Sequence, residues 1–193
     1  SDEWLQQIRD NQPELHDEKL ARYIAEFGLP EYDAQILTSE KKLADLFEAT
    51  CAICNKPKKV SNWLMVETMR LLKEHSMEPE DISFSPANLA KLIGLTEDGT
   101  INSSVAKEVF EQVFEKNVDP ESYVEEHGLK TVNDEGALEE VLKEVIAKNP
   151  KAIADYKGGK EKALGALVGQ TMKAMKGKAN PGMVNEKLRE MLN

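Results

Sequence analysis

KEKALGALVGQTMKAMKGKANPGMVNEKLREMLN, residues 160–193, decides the fold class. Turned at about 100° per residue, its first half separates into two faces. Leu164, Leu167, Val168, Thr171 and Met175 form a core stripe, and Lys162, Ala166, Gly169, Lys173 and Lys176 gather opposite, with Gly165 at the edge. Gly177 stops this helix, and Asn180-Pro181 opens the next by placing a capping side chain before a proline at the first helical position. Asn149-Pro150 repeats that start and Gly158-Gly159 that stop, which predicts helices over residues 134–148, 150–157, 160–176 and 181–192.

Working outward, the same three- and four-residue apolar spacing continues toward the N-terminus. It predicts helices over 17–27, 32–37 and 39–53, a longer one capped by Ser61 and running to His75, and one opened by Ser85-Pro86 and ending near Gly94. A turn at TEDGT, a helix over 101–117, a short one from Asp119-Pro120 to Gly128 and a connector from Leu129 to Asn133 complete the pattern. The reading is all-α, with a multi-helix middle domain over residues 1–118 and a small helical tail domain over 119–193. Of 193 residues, 40% are hydrophobic and only 6% aromatic, and strand-like alternation does not recur, which argues against all-β and doubly wound folds. No apolar run approaches the roughly 20 residues of a bilayer span. The opening SDEWLQQIRD is polar and acidic, unlike a secretory signal, so the chain is expected in the cytoplasm with no membrane partner. A start at Ser1 rather than Met suggests a piece of a longer protein.

Charge divides unevenly. The total is −10, yet residues 148–193 hold ten Lys and Arg against four Asp and Glu, while the first 147 hold 15 against 31. Such local cationic density is what counterion release from a nucleic acid requires. It equally suits a tail that packs on its own acidic body or keeps the chain in solution. Two glycines four apart in a helix, each costing about 1 kcal/mol relative to Ala, ask for a close approach by something. That something is a neighbouring helix or a phosphate backbone. Lys178 and Asn180 extend the same surface to a helix N-terminus, whose free N–H groups attract anions, although Asn180 has a simpler use as a cap. On the helix after Ser61, Leu64, Met65, Thr68, Leu71 and Leu72 form the apolar face, and Trp63, Val66, Glu67 and Arg70 the opposite one. An ion pair and an Arg–indole contact are available there, in a contact between helices or on a surface for a partner or RNA.

Catalytic signals are lacking. The sequence contains no GxGxxG or GxxxxGK[ST] phosphate loop, no HExxH and no GxSxG. Cys51 and Cys54 form a lone CxxC, and His16, His75 and His127 are scattered singly, short of the four ligands of a zinc site. The pair is read as thiols at a helix end, with redox chemistry or a metal as weaker alternatives, and NKPKKV after it as a basic surface loop. No metal, cofactor or catalytic residue is assigned to this chain.

Four separated blocks carry a resemblance: FGLPEYDAQILT (27–38), SNWLMVETMR (61–70), DGTINSSVAKEVFE (98–111) and ALGALVGQTMKAMKGKANPGMVNEKL (163–188). In this order they resemble the C-terminal part of the GatB family, the B subunits of the glutamine-dependent aspartyl/glutamyl-tRNA amidotransferases, with its YqeY-like tail. The resemblance implies a helical middle domain and a YqeY-like tail that hold the body of a misacylated tRNA. It places catalysis in a part of the B subunit outside this chain. There, ATP and magnesium activate the misattached Glu or Asp, and ammonia from the A subunit amidates it, in a complex that also contains the C subunit. The zinc of some members belongs to that part as well.

The family's tail motif falls on Gly165, Gly169, Lys173, Lys176, Gly177, Lys178, Ala179, Asn180, Pro181, Val184 and Asn185, and its helical-domain signature on Tyr32, Asp33, Ala34, Asn62, Trp63, Glu67 and Arg70. Ser103 and Ser104 stand where the family pattern has a glycine and a basic residue, which argues against RNA contact by the DGT loop. The tRNA-binding set is therefore Lys162, Gly165, Gly169, Lys173, Lys176, Lys178 and Asn180, with Trp63, Glu67 and Arg70 as an interface or structural signature. The rival reading is a protein-interaction module whose basic tail meets an acidic partner without RNA.

Overall fold

A computed structural model describes residues 3–4, 6–7, 14–132 and 135–193. Among these no strand occurs, and the single bridge pairs Val132 with Ala179 in parallel. Asn133 and Asp134, the expected end of the connector and start of the next helix, lie outside the described residues. No helix among the described residues is long and apolar enough to cross a membrane.

The chain forms two compact units, Ser1–Ile93 with Val113–Asn117, and Gly94–Gln112 with Val118–Asn193. The second unit thus includes a segment upstream of Val118 that the cap signals leave with the middle domain.

In the first unit, α1 (His16–Ala25), α2 (Glu31–Ser39) and α3 (Lys41–Cys54) enclose a cluster of Tyr23, Phe27 and Phe47, with ring centroids 4.9 to 5.4 Å apart. The expected start at Ser61 is four residues late. Pro57 occupies the first turn of α4 (Pro57–Asn62), so KPKKV is largely helix rather than loop, and Ser61 is buried and donates to Asp33 Oδ2 at 3.4 Å. Trp63–Thr68 then forms a π-helical segment that leads into α5 (Met69–Glu74). The Met69 N–H reaches the Leu64 carbonyl, and Thr68 Oγ1 donates to the Trp63 carbonyl at 3.1 Å, both five residues back. This wider turn invalidates the 100° projection. Glu67, placed on the outer face by that projection, is only 6% exposed, whereas Val66 remains 52% exposed. A 3₁₀ turn (Pro79–Asp81) precedes α6 (Pro86–Glu97), whose first turn is capped by Ser85 Oγ accepting from Asn88 N at 3.2 Å.

Along the chain follow α7 (Ser103–Lys116) and α8 (Pro120–Glu126), the latter capped by Asp119 accepting from Ser122 N at 3.0 Å. The remaining helices are α9 (Glu135–Lys148), α10 (Pro150–Lys157), α11 (Lys162–Ala174) and α12 (Pro181–Leu192). They share one apolar core. Leu138, Leu142 and Val145 of α9 meet Leu164 and Leu167 of α11 and Val184, Leu188 and Leu192 of α12. These residues recur every three or four positions, so each helix buries one stripe and leaves its other side to solvent.

Candidate nucleic-acid interface

Helix α11 buries Leu164, Leu167 and Thr171, with Val168, Met172 and Met175 half-buried beside them. The opposite side is open, and Lys162, Gly165, Ala166, Gly169 and Lys173 line it; both glycines, Ala166 and Lys173 are exposed. A Cβ built on either glycine meets nothing within 4 Å. No neighbouring helix among the described residues packs against the narrow strip within that distance.

The helix ends by turning left-handed at two successive residues, Lys176 (φ 53°) and Gly177 (φ 73°). Met175 N, Gly177 N and Lys176 N donate to the carbonyls of Thr171, Met172 and Lys173 at 2.9, 2.8 and 3.1 Å, which satisfies three of the last four carbonyls of the helix. Lys176 stays exposed, and Lys178 half-buried. Asn180 Oδ1 accepts from Gly182 N at 2.9 Å and Met183 N at 3.4 Å. The free N–H groups expected at the start of α12 are therefore taken by its own cap, and Pro181 has none to offer. Anion attraction by bare N–H groups is corrected on that ground. What Asn180 has left for an outside acceptor is its amide N–H₂, on an exposed residue.

Most other cations of the tail have carboxylate partners. Lys160 pairs with Asp155 at 3.2 Å, Lys148 with Glu144 at 3.5 Å, Lys187 with Glu190 at 3.4 Å and Arg189 with Glu161 at 3.7 Å. Lys162, Lys173, Lys176 and Lys178 make no ion pair among the described residues. Their charge is not neutralised locally, so it projects a positive potential over the bare strip. Beside Lys173 a groove of about 540 Å³ runs between α9 and α11, floored by Val141, Val145 and Ala174. Gln170 and Asn149 hold its rim through reciprocal amide bonds of 2.6 and 3.0 Å.

The middle-domain signature behaves differently. Glu67 accepts from Arg70 Nε at 3.1 Å, and Arg70 also reaches Glu74 at 2.9 Å, which confirms the expected ion pair but assigns it to a mostly buried carboxylate. Trp63 is half-buried and Tyr32 is 69% exposed. Sequence reasoning missed a hub at Arg22, which binds Glu14 at 2.7 Å and Glu48 at 2.6 Å, while the Tyr23 hydroxyl donates to Glu48 at 2.9 Å. The partners lie eight and 26 residues away, and no local signal joins them. It also passed over Asn102, whose amide donates to the carbonyls of Gly177 and Ala179.

Cys51 is buried, and burial, with smaller contributions from Cys54 and Glu48, pushes its thiol up to about 12. A thiol so protonated is a poor nucleophile or metal ligand. Among the described residues no group of three or more His, Cys, Asp and Glu is arranged to hold a metal.

A family model described as "GatB domain" matches residues 45–192. The chain is 63% identical over 192 residues to the B subunit of the aspartyl/glutamyl-tRNA(Asn/Gln) amidotransferase of Agathobacter rectalis, covering 100% of this chain and 40% of that protein. It is 62% identical over 198 residues to the protein of the same name from Lachnospira eligens, with 100% and 41% covered. With that of Geobacillus thermodenitrificans it shares 50% identity over 192 residues, with 100% and 40% covered. The chain spans about two fifths of the length of the curated relatives it matches.

Proposed function

The chain belongs to the GatB family, and on that premise we propose that it is the tRNA-holding part of the B subunit of an aspartyl/glutamyl-tRNA amidotransferase. The observation that carries this reading is the set of four lysines that make no ion pair among the described residues, around a strip of α11 that those residues leave bare. Phosphates of a folded tRNA approach along Gly165, Ala166 and Gly169, Lys162, Lys173, Lys176 and Lys178 neutralise them, and the Asn180 amide donates to phosphate or ribose. Contacts of this kind position RNA by backbone and shape and do not read bases. ATP-dependent amidation of the misacylated end occurs elsewhere in the complex, with the A and C subunits as partners and the cytoplasm as compartment.

Filter binding of tRNA to the full chain between 50 and 200 mM salt tests this. Four phosphate contacts give a slope of about −3.6 in log K against log salt, which weakens affinity about 150-fold over that range. Lys173→Glu with Lys176→Glu removes two contacts and reduces the change to about 12-fold, with helical circular dichroism unaltered. Equal affinity and slope in the double variant would discard the proposed surface.

A further inference from the structure

The DGTINSS block, residues 98–104, carries no cation of its own. The block nevertheless touches the cation-bearing turn through one side chain. Asn102 Nδ2 donates to the Gly177 carbonyl and, at 3.4 Å, to that of Ala179. Val132 N donates to the carbonyl between them, Lys178, at 2.8 Å, and Thr131 N to that of Thr100 at 2.7 Å. All three carbonyls of Gly177–Ala179 are thus held by donors of the same compact unit. The other end of the Asn102 amide is also engaged, with Oδ1 accepting from Val105 N at 2.9 Å as the cap of α7. One planar amide therefore ties the start of a 14-residue helix to a turn 75 residues further along the chain.

We propose that Asn102 is a positioning residue for RNA phosphate binding, fixing the 176–180 turn so that Lys176, Lys178 and Asn180 stand in register with the bare strip of α11. This rests on the tRNA-holding reading. The turn contains two consecutive left-handed residues, one of them a lysine, a conformation that non-glycine residues disfavour. Tied carbonyls make that conformation the one the chain keeps. Without them the turn samples others, and the three side chains lose their common orientation.

Asn102→Ser separates this role from capping, because serine keeps an oxygen for the Val105 N–H and adds no charge, but cannot supply the amide donor. The assay uses the full chain with unfractionated tRNA over a salt series, alongside amide hydrogen exchange. Asn102→Ser is expected to unfold at nearly the wild-type temperature and to exchange faster at Val132 and at 177–180. It should bind tRNA about tenfold more weakly, with a salt slope shallower by one to two. A merely structural role would leave the slope unmoved. If wild type binds, Lys173→Glu with Lys176→Glu does not, and Asn102→Ser matches wild type in affinity and slope, the positioning role is overturned and the tRNA reading survives. If wild type and the lysine variant bind alike, the tRNA reading falls and takes this proposal with it, whatever the exchange rates show.

Discussion

Replacing both Gly165 and Gly169 by Ala sets the stability of α11 against its proposed use. Both glycines lie inside the helix, and a Cβ at either meets nothing within 4 Å, so the substitution adds no clash. Each gains the intrinsic Gly-to-Ala difference of roughly 0.8–1.0 kcal/mol, about 2 kcal/mol for the pair. In a unit of this size that raises the midpoint of thermal unfolding by several degrees, or more, at roughly 4–8 °C per kcal/mol. Two glycines that no described residue packs against therefore lower the stability of the helix, which fits an external ligand that needs the space. Gly169→Leu tests the space itself, because its side chain stands between Lys162 and Lys173 where a phosphate is to come. Thermal and urea unfolding followed by far-ultraviolet circular dichroism, with tRNA affinity at 100 mM salt, reads both. The double alanine variant is expected to be more stable, and Gly169→Leu to be as stable as wild type or more so yet to bind at least about tenfold more weakly. Destabilisation by alanine would show that the strip is packed against something. Undiminished binding by the leucine variant would show that no close approach occurs there.

Cys51, buried with its thiol pushed up to about 12, should resist alkylation at pH 8 in the folded chain while the half-buried Cys54 reacts first, as mass spectrometry of peptides can show; faster labelling of Cys51 would contradict its burial. In the first unit, hydrogen bonds from Arg22 hold the Glu14 carboxyl below its usual range. Because the folded form is the more acidic, its stabilisation is complete above the usual carboxylate range and is lost as pH falls through the lowered value. Arg22→Met should lower stability by about 1–2 kcal/mol at neutral pH and flatten this acid limb, and an unchanged denaturant midpoint at pH 7 would refute the hub.

Three of the four cap-plus-proline starts were readable as local events; the fourth, Asn149-Pro150, opens a helix but Asn149 makes no capping bond and spends its amide on Gln170 and the Val145 carbonyl. Asn180-Pro181, Asp119-Pro120 and Ser85-Pro86 each place a side-chain oxygen and a ready-made φ within three residues of the N–H groups they serve, and each caps as read. The two faces of α11 were equally legible, since a regular helix converts spacing into direction. The segment after Asn62 was not. Its π turn moved Glu67 from the expected surface into the interior, and nothing in WLMVET announces an extra residue in the turn.

Composition, spacing and caps by themselves determined an all-α chain, the basic tail and the side of α11 on which its lysines stand, because all of these depend on residues within a few positions of one another. Only the tertiary structure decided that this side is left open and its lysines are without carboxylate partners among the described residues, that Asn180 spends its oxygen on its own helix, and that Asn102 bonds the turn from 75 residues away. Openness and pairing are properties of what the rest of the chain brings near, and long-range packing carries no signature in the local pattern.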